Sequence, residues 1–164
     1  MKRFLCCTLI AALLIAAAVP ALADVPALNS KMIAYAKGAL SCLAAGDYDR
    51  VVTGLPFSGM SPSADEWRSF AQGAFTNLSG SNPQSKYAVA FWAGRAWRIC
   101  VPVSEPSSDS VEALVLSSDD GSTFTGYACV TWDSVRNAYQ SADYVTWDEE
   151  YSASTSAIVE NDQE

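Results

Sequence analysis

The apolar residues of this chain change period once, and that change constrains the fold more than any other feature. Before Ser81-Asn82-Pro83 they recur at three- and four-residue steps, and after it they alternate. The first pattern suits an amphipathic helix, the second a strand with one buried face. Leu28, Met32, Tyr35, Ala36, Ala39, Leu40 and Leu43 form one stripe, which predicts a helix over residues 24–43 stopped by Gly46. Asp47 is placed to cap a short second helix through Val51 and Val52, ended by Gly54 and Pro56. Ser63 and Glu66 have the spacing of a capping box, with Pro62 just outside it. They open a third helix with Trp67, Phe70, Ala71, Ala74, Phe75 and Leu78 on one face and Gly80 at its end.

Beyond residue 83 the alternation predicts strands over 87–92 and 96–103, joined around Ala93-Gly94. A second hairpin, 111–116 with 123–132, is turned by Asp119-Asp120-Gly121. Residues 143–148 read as a shorter strand, and 134–141 as a helical turn or a loop. Helices first and antiparallel strands afterwards make an α+β domain, two to three helices packed on one face of a sheet of four or five strands. Parity assigns Tyr87, Val89, Phe91, Trp97, Ile99, Val101, Val103, Phe124, Ala128, Val130 and Trp132 to the core. The opposite set is Ala88, Ala90, Trp92, Arg98, Cys100, Tyr127, Cys129 and Thr131. That second face is neither plainly polar nor plainly apolar, and Trp92, Arg98 and Tyr127 are its ligand or interface candidates.

The first residues read as a leader. Lys2 and Arg3 precede an uncharged apolar run over residues 4–19, then Pro20 and the small residues of Ala21-Leu22-Ala23. Cleavage after Ala23 would leave Asp24 first, in a secreted or extracytoplasmic protein. The run is shorter than the roughly 20 residues that cross a bilayer, so no stable membrane insertion is expected after cleavage. Residues 24–151 then form one domain, and 152–164 an acidic tail whose composition favours disorder.

The net charge is −8, and every acidic residue lies after the leader. Such a surface repels phosphate backbones, so nucleic acid is an unsuitable partner. The chain has no histidine, which removes Ser-His-Asp and Cys-His catalysis and histidine metal sites. Asp119 and Asp120 read as turn residues bonding nearby amides rather than as calcium ligands. No cofactor and no metal site is implied. Cys42, Cys100 and Cys129 follow the leader, permitting one disulfide or three buried thiols.

Ala44-Ala45-Gly46-Asp47-Tyr48-Asp49, leading from a long helix into a short one ahead of a sheet, resembles the nuclear-transport-factor-two-like superfamily, the cone-shaped relatives of the cystatin fold. The resemblance implies a bent sheet enclosing a pocket against the helices over about residues 28–147. Its enzymes commonly use His/Asp or Tyr/Asp pairs, and the first pair has no counterpart here. The leading expectation is a non-catalytic exported module holding a small ligand or a protein, with a homodimer through the sheet face as one form. The alternatives are a small cone-fold enzyme using a pocket carboxylate or tyrosine as acid/base, and an extracellular glycan-binding domain built on exposed aromatics.

Overall fold

A computed structural model of the protein describes residues 25–80 and 87–148; the expected leader with its Ala23–Asp24 junction, and the expected acidic tail over 152–164, lie outside them. Helix α1 is Lys31–Ala45, α2 is Tyr48–Gly54 and α3 is Ala64–Ala74, followed by a 3-10 turn at Leu78–Gly80. The strands are β1 Val89–Ala93, β2 Ala96–Pro102, β3 Glu112–Ser118, β4 Gly126–Thr131 and β5 Val145–Trp147, with helix α4, Trp132–Gln140, between the last two. All strands pair antiparallel in the order β4-β3-β2-β1-β5. The class is α+β, with three helices ahead of the sheet.

Local sequence grammar sets the helix ends. Gly46 closes α1 in the left-handed conformation, φ 75°, and its amide bonds back to the last turn. Asp47 caps α2 by accepting from Arg50 N at 3.3 Å. At α3, Ser63 Oγ accepts from Glu66 N while Glu66 Oε2 accepts from Ser63 N at 2.7 Å, a complete capping box. The Ser63 amide and, at 2.8 Å, the Ser63 hydroxyl both donate to the Glu66 carboxyl and hold it below its ordinary value.

Helix α1 starts later than its apolar stripe suggests. Residues 25–29 run extended, and Pro26 O accepts from the Trp97 indole Nε1 at 2.8 Å while Asn29 N donates to Gly121 O at 2.8 Å. Asn29 Oδ1 takes the Lys31 amide, so the helix begins there. Helix α3 likewise ends at Ala74, because Thr76 N and Oγ1 donate to the Glu112 carboxylate at 2.8–3.1 Å and draw the chain onto the sheet.

The register corrects the predicted facing of β1 and of β4, where Tyr127 and Cys129 face the inner side and Ala128 and Val130 the outer one. The β1–β2 turn is Gly94-Arg95, both with positive φ (61° and 67°), the shape of a type I′ hairpin. A two-residue turn pairs Trp92 with Trp97, and Phe91 with Arg98. Directly opposed residues share a face, so Val89 and Phe91 belong with Arg98 and Cys100, not with Ile99. The inner face carries Ala88, Ala90, Ile99, Val101, Leu114 and Leu116 against α1, α2 and α3, where Met32, Leu40, Leu43, Val51 and Trp67 are buried. The outer face carries Val89, Phe91, Cys100, Ala113 and Val115 against Trp132 and Val135 of α4. The sheet is therefore covered on both sides, where the sequence predicts helices on one. Trp132, expected to end a strand, is the first residue of α4.

The β3–β4 connection is organised by one carboxylate. Asp120 accepts from Ser122 N and Thr123 N at 2.8 Å and from Thr123 Oγ1 at 2.7 Å, and Ser118 Oγ holds Gly121 N at 2.9 Å. Those bonds hold the Asp120 carboxyl well below its ordinary value. A depressed folded pKa stabilises the fold above the unfolded value and is lost as pH falls toward the folded one. Asp120 should therefore contribute fully above about pH 5 and progressively less below. We expect its replacement by Asn to cost about 1 kcal/mol at pH 7, solvent screening the rest at this exposed turn. In urea titrations at pH 7 and pH 2.5 the gap between the two proteins should shrink; a constant gap would remove the carboxylate's role.

Candidate functional site

The same register separates the three residues singled out from the sequence. Trp92 and Tyr127 stand on the inner face and Arg98 on the outer one. Tyr127 packs against Trp67 and Phe70, with ring centroids 4.3 and 4.8 Å apart, and Trp92 against Trp97 at 5.8 Å. The expected composite surface is thus replaced by two aromatic packing sites and one isolated cation. Cys100 and Cys129, predicted to share a face, point to opposite faces as well, since Cys100 pairs with Val115 and Cys129 with Leu114. Both are free thiols, as is Cys42.

Arg98 lies in a row that crosses the outer face: Val145, Phe91, Arg98, Ser117 and Gly126 are successive partners on β5, β1, β2, β3 and β4. The next row is Trp147, Val89, Cys100, Val115 and Ala128. Helix α4 covers the second row with Val135, and Tyr139 stacks on Phe91 and Trp147 at 6.4 and 5.3 Å. The first row it leaves partly bare. The result is a cavity of about 300 Å³ between α4 and the sheet. Its walls are Phe91, Ala93, Val115, Ala128, Val130, Val135 and Ala138, with Arg98, Ser117, Ser134 and the Cys100 thiol as the polar groups. Gly126, at the end of the row, leaves open space beside Ser117.

Among the described residues Arg98 donates through Nη1 to Ser117 Oγ and meets no carboxylate. A guanidinium has five N–H donors in a planar fork, so this one, which lines the cavity, has donors beyond the bond to Ser117. Ser134 sits in the first turn of α4, its Oγ 3.0 Å from Thr131 Oγ1. Burial pushes the Cys100 thiol well above its ordinary value, outweighing the opposing pull of Arg98, so it stays neutral at physiological pH. None of the described wall residues carries negative charge.

The alternation of β2 marked Arg98 as lying off the face of Ile99 and Val101, and that signal was sound. The cavity itself was not legible, because its roof is α4, in a segment that reads equally as a turn or a loop. The inner face, where the cone resemblance places a pocket, is filled by Trp67, Phe124, Leu40, Ile99, Leu114 and Leu116, each at most 1% exposed. Among the described residues no tryptophan is exposed; Trp92 and Trp147 are half-buried, and Trp67, Trp97 and Trp132 are buried. The acids of the described residues are exposed or half-exposed, and no three metal-ligating side chains cluster. With both sheet faces covered by helices, self-association through the sheet is left the bare end of the outer face near Gly126 and the β4 and β5 edges. No family model, curated protein or solved structure matches the chain.

Proposed function

We propose that this protein is an exported, non-catalytic binding module that holds a small ligand between α4 and the outer face of its sheet. One observation carries the reading: a half-buried guanidinium that meets no carboxylate among the described residues, on the wall of a mostly apolar cavity. Leaving such a cation uncompensated is costly unless something else meets it. Ligand sites are typically concave and mostly apolar, with a few polar groups that fix orientation. The leader over residues 1–23 supports export, and the acidic surface disfavours nucleic acid as the partner. The described wall residues include no carboxylate for acid/base chemistry, so this lining favours retention over turnover.

Titration with 1-octanol, followed by methyl NMR, tests the site without assuming what the ligand's head group is. Shifts should concentrate on Val115, Val130, Val135 and Ala128. Ala128→Leu, which pushes bulk into the cavity from an exposed strand position, should weaken binding by about tenfold. Shifts scattered over the surface, or an unchanged affinity in that variant, would place the ligand elsewhere.

A further inference from the structure

Resting on that reading of the cavity, we infer that its ligand is a singly charged carboxylate with an unbranched apolar tail, its head on Arg98 and Ser117. The charge sign follows from Arg98, the one cation among the described lining residues, and from the absence of any acid among them to hold an ammonium group. A fork of N–H donors matches a carboxylate's two oxygens, and the bond from Arg98 Nη1 to the Ser117 hydroxyl places that hydroxyl beside the fork. The charge magnitude follows from the surroundings. A dianion would need a second cation, and the described wall residues offer only uncharged Ser117, Ser134 and Cys100 beside Arg98. The protein's own charge of −8 opposes a polyanion further.

The tail follows from the rest of the lining. Phe91, Val115, Val130, Val135 and Ala138 present no hydrogen-bonding side chain, so a polyhydroxylated ligand would lose its water without replacement. A volume of about 300 Å³ holds roughly ten heavy atoms at the ~30 Å³ share of a water molecule in liquid. An eight-carbon acid has that size. Gly126 and the exposed Ala128 leave the Arg98 end of the cavity open, giving the head group a way in from solvent.

Octanoate, 1-octanol, octylammonium and octyl phosphate, titrated at pH 7.5 against the whole protein by calorimetry and methyl NMR, separate the possibilities. We expect octanoate to bind about tenfold or more tightly than octanol, as a charge-assisted bond to a guanidinium implies. Octylammonium should not bind, and octyl phosphate should bind no better than octanoate. Arg98→Met should bring octanoate down to the level of octanol. Gly126→Glu should do the same without touching Arg98, by supplying a carboxylate from an open position two strands away. If octanol and octanoate bind equally, or the preference survives both variants, the cavity reading stands and the carboxylate assignment falls. If octyl phosphate wins, the monoanion assignment falls. If none of the four shifts the cavity methyls, both fall together.

Discussion

Replacing Trp67 with alanine is expected to cost about 3–5 kcal/mol, a large share of the roughly 5–15 kcal/mol that holds a domain of this size together. Trp67 is fully buried and is ringed by Phe57, Phe70 and Tyr127, with centroids 6.1, 5.9 and 4.3 Å away. It joins α3 to the sheet at the point where Tyr127 of β4 crosses beneath. Truncation would leave a void that three rigid rings cannot close. The indole carries a further feature: its Nε1 is buried and finds no hydrogen-bond partner among the described residues. An unsatisfied buried donor is destabilising by about 1–3 kcal/mol. Trp67→Phe, which removes both the donor and one ring, should therefore cost less than half of what alanine does. Urea unfolding of the three proteins checks both statements. A phenylalanine variant as weak as the alanine one would mean that shape, not the orphaned donor, dominates this site.

Gly121→Ala should be almost as damaging, at about 2–4 kcal/mol. Two effects add there. Its φ of +75° disfavours any side chain, and a Cβ would stand 2.3 Å from Ala27 O and 3.0 Å from Ala27 C, which are backbone atoms that cannot rotate away. Relief requires the 25–29 segment to lift, breaking the Asn29 N to Gly121 O bond and exposing the Trp97 indole that Pro26 O now accepts. Gly46 provides the control. It has the same φ of 75° but open space around its missing Cβ, so Gly46→Ala should cost only the left-handed term of about 1–2 kcal/mol. The difference between the two variants measures the clash. Hydrogen exchange should show faster loss at Asn29 in the Gly121 variant and not in the Gly46 one. Equal costs would mean that the extended segment is loosely held.

Local rules written into the chain determined much of this protein. The change of period near residue 83 separated helices from strands, and the class follows from it. Gly46, Asp47, Ser63 and Glu66 act as caps because a cap is satisfied by atoms three or four residues away. Asp120 organises its turn for the same reason. What the sequence left open depends on partners far along the chain. The start of α1 is set by Gly121 and Trp97, and the end of α3 by Glu112 across 36 residues. The facing of β1 turned on whether its hairpin loop held the two residues Gly94-Arg95 or the three, 93–95, between the expected strand ends, and a shift of one residue reverses every side chain. Helix α4 is short, and its buried side is Trp132 and Val135 with Ala138 and Tyr139 half-covered. The stripe itself has helical spacing, but nine residues are too few to hold a helix until a sheet face is there to receive it. The candidate site inherits that dependence. Arg98 could be marked from its strand, but its isolation, its bond to Ser117 and the roof over it exist only because four strands and a helix from separate stretches of chain close around one residue.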